Sequence, residues 1–221
     1  MIDIVISLTT WKGRIFSDSF NYILHRLLDE QITNYKYKVV LVLSEEEFGK
    51  DFVLPSNLAK ASKRDDFEIL WTYKNTKALK KLNPTMQKYS NVPIITLDDD
   101  ILVSKTLVQT CMNTHLEKPN SILGTHVFES HGVKIACGIR CYPPNSLIDL
   151  SDELFEKYFH NLQDDEFNGI RAKLKHTEIE AMSQNIIEDL SYGNQEVAMS
   201  KIHLKYPPDL DGLYKDHPEL K

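Results

Sequence analysis

Three consecutive carboxylates, Asp98, Asp99 and Asp100, follow directly on the apolar run Ile94-Ile95-Thr96-Leu97. Like charges this close repel, and burial strengthens the repulsion. A divalent cation relieves it. Hard oxygen donors suit Mg²⁺ or Mn²⁺, with one or two carboxylates and substrate phosphates completing the shell. An ion bridging two phosphate oxygens would neutralise a departing nucleoside diphosphate, which is Lewis-acid catalysis of leaving-group departure. A solvated acidic turn is the plain alternative for any run of three acids. The apolar segment before this run favours the functional reading, because it sets the acids at the carboxyl edge of a sheet.

Basic residues gather just before that segment. Lys74, Lys77, Lys80 and Lys81 surround it, and lysine as a compact cation can hold a diphosphate. Lys77 and Lys80 read as a solvated helix face. A second acidic pair, Asp164-Asp165, opens a helix, where acids also suit the helix dipole.

The elements that must position these groups follow from periodicity. Ile2 to Leu8, Lys38 to Leu43, Phe67 to Trp71 and Val92 to Leu97 are short and nearly continuous in apolar character, as strands buried on both faces are. Phe20, Ile23, Leu24, Leu27 and Leu28 form the stripe of an amphipathic helix, which Ser17 or Asp18 can cap. Residues 44 to 64 are polar, with a break at Pro55. Thr76 to Tyr89 is expected as two short helical pieces because of Pro84. A helix over Ser104 to Leu116 precedes strands at Ile122 to Val127 and Val133 to Cys137, joined by a turn at His131-Gly132. From Ser151 the pattern becomes mostly helical, with helices starting at Ser151 and spanning Asp164 to Lys175. The expected organisation is one domain over residues 1–206 and an irregular tail over 207–221. This order predicts an α/β fold with a largely parallel sheet. Its ligand then binds beyond the ends of the strands that run into Thr9-Thr10 and Asp98-Asp99-Asp100.

The 221 residues, 42% hydrophobic and 26% charged, are ordinary for a globular protein. The net charge of −6 argues against a general nucleic-acid binder. Cys111, Cys137 and Cys141 do not make a disulfide framework and read as structural thiols. The N-terminus lacks a signal-peptide pattern and no apolar run reaches the roughly 20 residues of a membrane span. The expected location is cytoplasmic, with peripheral contact to the inner face of the membrane open.

Ile94 to Ile101 resembles the DXD segment of GT-A-fold glycosyltransferases, in particular bacterial enzymes that add sugars to surface polysaccharides, lipopolysaccharide among them. Val5-Ile6-Ser7-Leu8-Thr9-Thr10-Trp11 with Arg14 resembles the opening strand and nucleotide-binding turn of that family. Lys81-Leu82-Asn83-Pro84 resembles its Lys-Leu-x-Pro step. Gly138 with Tyr142-Pro143-Pro144 resembles a segment on the sugar side, and Gln163-Asp164-Asp165-Glu166 the acidic pair near the acceptor. Val103-Ser104 and Glu166-Phe167 depart from the pattern, where an aromatic-Pro pair and an apolar-Trp pair are expected.

The resemblance implies a GT-A-like, Rossmann-like sheet flanked by helices. It implies transfer of a hexose-type sugar from a nucleotide-diphosphate donor, UDP favoured, to a glycan or lipid-linked acceptor. Asp98 and Asp100 would hold Mn²⁺ or Mg²⁺, with Asp98 or Asp99 also meeting the nucleotide-sugar. Thr9, Thr10, Arg14, Lys74, Asn75 and Lys81 would border the nucleotide. A late histidine, His203 or His176, could complete the metal shell. Inverting transfer needs a base at the acceptor hydroxyl; Asp165 is the first candidate and Asp164 the second. Trp11 and Trp71 could stack on a base or sugar, with core packing expected for Trp71. Two other readings remain: a haloacid-dehalogenase-like phosphohydrolase with Asp98 as nucleophile, and a non-catalytic module that binds nucleotide-sugar.

Overall fold

A computed structural model describes residues 1–130, 132–150, 157, 163–182, 186–189, 210–216 and 218. In chain order the elements are β1 (Ile4–Thr9), α1 (Asp18–Asp29), β2 (Tyr37–Ser44), α2 (Glu45–Phe48), α3 (Ser56–Ala61), β3 (Phe67–Thr72), a 3₁₀ turn (Lys77–Lys81), α4 (Asn83–Lys88), β4 (Ile94–Thr96), β5 (Leu102–Val103) and α5 (Leu107–Glu117). There follow β6 (Ile122–Ser130), β7 (Val133–Tyr142), α6 (Asp164–Lys175), β8 (Ile179–Ala181), β9 (Ile187–Asp189) and α7 (Leu210–Asp216).

The main sheet has seven strands in the order β3-β2-β1-β4-β7-β6-β8. β3, β2, β1 and β4 run parallel, β7 is antiparallel to β4 and to β6, and β8 is parallel to β6. The continuous apolar character of β1 has a direct cause: both faces are covered. Ile4, Ile6 and Leu8 pack with Phe20, Ile23, Leu24, Leu27 and Leu28 of α1 on one face. Val5 packs with Val40, Val42, Leu82 and Ala172 on the other. Each large apolar side chain so buried contributes roughly 1.5–3 kcal/mol of transfer free energy. The Ser17 hydroxyl accepts from the Phe20 N–H at 3.2 Å and caps α1, as its position predicts.

Several expectations are corrected. The polar stretch after β2 contains α2 and α3. The stretch before β4 does form two short pieces, as expected, dividing at Leu82 with Pro84 in the first turn of the second; the first piece is a 3₁₀ turn entered through Lys77 at φ +53°. β6 and β7 run to Ser130 and Tyr142, longer than their apolar cores. The helix after the aspartates starts at Leu107, later than expected, and the Ser104 N–H donates instead to the Ile186 carbonyl at 2.9 Å, beside the pairing of β5 with β9. The part after Ser151 is less purely helical than expected, since β8 joins the main sheet and β9 pairs with β5. Within the tail expected to be irregular, Leu210–Asp216 is helical, and Leu213 is buried with Phe167 and Ile170 of α6. The helix start at Ser151 and the turn residue His131 lie outside the described residues. Among those described, no helix is long and apolar enough to cross a membrane.

A bulge shapes the middle of the sheet. β7 advances from Cys137 to Arg140 while β6 moves only from His126 to Gly124. Gly138 sits there at φ +76°, and a Cβ would fall 2.4 Å from Thr125 Oγ1. That hydroxyl donates to the Cys137 carbonyl and accepts the Ile139 N–H, both at 3.1 Å. Beyond the bulge, Ile139 and Cys141 enter the core under α1. Arg140 faces Asp164 of α6, and Tyr142 packs with Ala172 of the same helix.

Candidate active site

The direction of strand addition reverses at β1, which pairs with β2 on one side and β4 on the other. Ligands of open α/β sheets bind in the crevice beyond such a point. Thr10 and the three aspartates meet there. The Thr10 hydroxyl donates to Asp99 Oδ2 at 2.5 Å, and Arg14 Nη1 bonds Asp99 Oδ1. Arg14 Nη1 also stands 3.3 Å from Asp100 Oδ2. The turn after β1 aims Arg14: its N–H donates to the Trp11 carbonyl at 2.9 Å. Gly13 lets the Trp11 ring lie against the backbone, since a Cβ would fall 2.1 Å from that ring. Asp99 is 7% exposed. Burial pushes its carboxyl up to about 6 against the pull of Arg14 and Thr10. Asp99 therefore anchors the acidic run and turns away from solvent.

Asp98 points the other way. Its side chain is 42% exposed and its Oδ1 accepts from Lys81 Nζ at 2.5 Å. Lys81 is 1% exposed and gives a second bond to Asp164 Oδ2 at 2.9 Å. Asp164 Oδ2 also takes Arg140 Nη1 at 2.8 Å. A chain of alternating charge, buried except at Asp98, thus runs Asp98, Lys81, Asp164, Arg140, and ties the end of β4 to the start of α6. The Lys81 carbonyl is fixed by the Ser7 hydroxyl of β1, which also meets the Thr85 hydroxyl at 2.8 Å. Burial alone would depress the ammonium of Lys81, but Asp164 and Asp98 raise it above its ordinary value.

The two acids of α6 differ sharply. Burial works to raise the Asp164 carboxyl, yet Arg140 and Lys81 hold it well below the usual carboxylate range. Burial and the adjacent Asp164 charge push Asp165 up to about 6. Asp165 Oδ1 accepts the Glu166 N–H at 3.0 Å. Glu166 reaches back to the Gln163 N–H at 3.3 Å, half of a capping box that fixes this first turn.

The remaining expected residues fall as follows. Thr9 donates to the Val42 carbonyl at 2.7 Å, so its hydroxyl braces β1 against β2. Lys74 is exposed at the end of β3. Asn75 accepts from Lys80 Nζ at 2.8 Å, and its N–H donates to Glu46 at 2.7 Å. Lys80 corrects the expectation of a solvated face: it is 3% exposed and pairs with Glu47 at 3.2 Å. Lys77 is exposed. Trp71 is 38% exposed, lying edge-on to Phe48, rather than in the core. Trp11 is also partly exposed. Tyr142 is buried and its hydroxyl accepts from Asn168 at 3.4 Å. His176 is the left-handed cap ending α6, at the opposite end of that helix from Asp164. His203 lies outside the described residues. Arg140 was missed, although a charged residue inside Ile139-Arg140-Cys141-Tyr142 signals an obligatory buried partner.

Among the described residues no three metal-ligating side chains form a cluster that could hold an ion alone. The donor chemistry still fits a hard cation. Asp98 keeps an oxygen beyond its Lys81 bond, and Asp100 lies two residues on, beside Arg14. Two carboxylates suffice where a diphosphate supplies the other ligands.

No protein-family model matches the chain, and no curated protein matches it in sequence. Solved structures do match. S. aureus TarS 1–349 in complex with UDP-GlcNAc has a TM-score of 0.54 at 14% identity, over 85% of this chain and 57% of that one. The same segment with UDP gives a TM-score of 0.55 at 10% identity, over 84% and 59%. The mannosyltransferase PcManGT from Pyrobaculum calidifontis, with GDP-Man and Mn²⁺, gives 0.54 at 12% identity, over 80% and 54%. The chain has the GT-A fold. It spans well under two thirds of the length of these neighbours. Lys81 joins the acidic run ending β4 to the acids opening α6, bonding Asp98 in the one and Asp164 in the other.

Proposed function

We propose that the chain is a metal-dependent glycosyltransferase that moves a sugar, of hexosyl type, from a nucleotide-diphosphate donor to an acceptor hydroxyl with inversion. The observation that carries this reading is the division between two acidic centres. One is a cation-neutralised carboxylate run at the switch point; the other holds a carboxyl with a raised pKa at the start of α6. The first suits a diphosphate, and the second suits a proton acceptor. The fold likeness to proteins solved with UDP, UDP-GlcNAc and GDP-Man supports the same substrate class.

Asp98 and Asp100 would hold Mn²⁺ or Mg²⁺ together with the donor. When bound, such an ion supplies Lewis-acid stabilisation of the departing diphosphate. Thr10 and Arg14 act through Asp99, locking the run so that Asp98 and Asp100 face the crevice. Thr9, Lys74, Asn75 and Lys81 border the space for the nucleotide. Asp165 takes the proton of the acceptor hydroxyl as that oxygen bonds the anomeric carbon. The bond from that carbon to the diphosphate oxygen breaks, and its electron pair leaves with the diphosphate. A carboxyl near 6 is largely ionised at neutral pH yet basic enough to help.

UDP is the favoured nucleotide and a glycan or lipid-linked glycan the favoured acceptor, in keeping with synthesis of bacterial surface polysaccharide. The test is release of nucleoside diphosphate from a panel of UDP- and GDP-sugars with Mn²⁺ and such acceptors. Asp165→Asn should keep donor binding and lose transfer by about 10²–10⁴-fold, the size of a general-base contribution. Undiminished transfer by that variant would remove Asp165 from the mechanism.

A further inference from the structure

Asp164 and Asp165 are adjacent carboxylates opening one helix, and residue type does not distinguish them. Their partners do. Asp164 Oδ2 receives two cations, Arg140 Nη1 at 2.8 Å and Lys81 Nζ at 2.9 Å. Asp165 Oδ1 receives the backbone N–H of Glu166, and among the described residues no cation lies within ion-pair distance of it. We propose that Arg140 is a positioning residue that fixes Asp164 as the permanently ionised member of the pair, leaving Asp165 as the member that exchanges a proton. The catalytic consequence rests on the sugar-transfer reading above; the division between the two carboxyls does not.

The placement of Arg140 supports this. It is 1% exposed, with Thr96 of β4 beside it on one side and Gly124 of β6 on the other. The bulge at Gly138 precedes it and is locked by Thr125. A guanidinium cannot shed its proton inside a protein, so its charge is permanent. Lys81 divides its ammonium between Asp98 and Asp164, whereas the ion pair of Arg140 is with Asp164. The charged and titratable groups facing Asp165 are Asp164 on its own helix, Arg140, Cys137 and Tyr142 on β7, and Lys81 on the 3₁₀ turn. Two cations and one fixed anion therefore surround it. Burial, reinforced by that anion, outweighs the cations, and the Asp165 carboxyl is pushed up to about 6.

Removing the guanidinium changes the partition. Both carboxyls lose a favourable field, so protons bind the pair more tightly. Asp164, left with a shared ammonium, becomes able to take the proton itself.

The test is a carbon NMR titration of the full chain labelled at aspartate side chains, with Asp164→Asn and Asp165→Asn assigning the signals. In the wild-type chain Asp164 should stay flat from about pH 4 to 8, the range above an ordinary aspartate, while Asp165 titrates near 6. Arg140→Met should bring Asp164 into that range and raise the first protonation of the pair by about one unit or more. Arg140→Lys should restore the flat Asp164 signal. In transfer assays the acid limb of kcat should move to higher pH in Arg140→Met, with donor KM unchanged; a purely structural role would lower kcat equally at all pH values.

A wild-type Asp164 that titrates between about pH 4 and 8 overturns the proposal without any variant. So does an Asp164 signal that stays flat in Arg140→Met. Titrations as expected in a chain that transfers no sugar would sink the functional reading and leave the assignment of the two carboxyls standing.

Discussion

Replacing Lys81 by Met tests whether the charge chain between β4 and α6 exists as a buried ionic structure. Met matches the length of the lysine stem, so the perturbation is loss of one ammonium at a site 1% exposed. Breaking a buried pair by removing one partner costs about 3–5 kcal/mol, because the other charge stays buried and uncompensated. Two features place this case at the low end. Asp98 is 42% exposed on its side chain and can be rehydrated. Asp164 keeps Arg140 at 2.8 Å. The expected loss is therefore about 3 kcal/mol, a drop of about 6–12 °C in Tm for a chain of this size. Urea unfolding followed by circular dichroism should show the midpoint falling with m unchanged, since the surface exposed on unfolding is the same. A loss under about 1 kcal/mol would refute the reasoning. It would mean that Lys81 is solvated, or that Asp164 is already neutral, and the link between the two acidic centres would be gone.

Three further outcomes follow from the same geometry. Gly138→Ala forces a non-glycine residue to φ +76° and sets a Cβ 2.4 Å from Thr125 Oγ1; unfolding stability should fall by about 1–3 kcal/mol, and Thr125→Ala in the same chain should recover part of it. Asp165 has a folded-state pKa of about 6, above its unfolded value, so the folded state binds more protons between the two values. Wild-type stability should accordingly rise relative to Asp165→Asn as pH falls from 7 through 6 toward about 4, by about 2 kcal/mol, and equal slopes for the two proteins in urea unfolding would contradict this. Arg14→Ala leaves Asp99 buried beside Asp100 without its counter-charge; nucleoside diphosphate affinity measured with Mn²⁺ should drop about tenfold or more, and an unchanged affinity would separate Asp99 from the organisation of the site.

Much of this fold is legible in residue order because the strands are buried on both faces. Val39 to Leu43 leaves no polar position and Ile4 to Leu8 leaves only Ser7, a pattern that suits a parallel sheet covered on both faces. The stripe of α1 and its Ser17 cap are equally local. The acidic run stood out as a candidate for another reason: carboxylates crowded after an apolar strand need an explanation that stability does not offer. The pair on α6 stood out through the resemblance, since the helix dipole alone would account for it. What could not be read depends on partners far apart in the chain. Thr10 meets Asp99 across 89 positions, and Lys81 and Arg140 converge on Asp164 only after β7 is laid beside β4. Lys80 looked solvated because its spacing suits an exposed helix face, but the 3₁₀ turn carries it inward to Glu47. The two residues of β5 are too few to show a period, so their pairing with β9 left no trace in the pattern.

The central claim is that Asp98 and Asp100, after β4, hold a divalent ion together with a nucleoside diphosphate. Calorimetric titration of UDP and GDP into the chain, with Mn²⁺ and with the metal chelated, tests it most directly when Asp100→Ala is run beside the wild type. The account predicts binding that requires Mn²⁺ and weakens at least about tenfold in Asp100→Ala, the effect of losing one of two protein ligands. Binding of equal strength without metal, or in the variant, would contradict it.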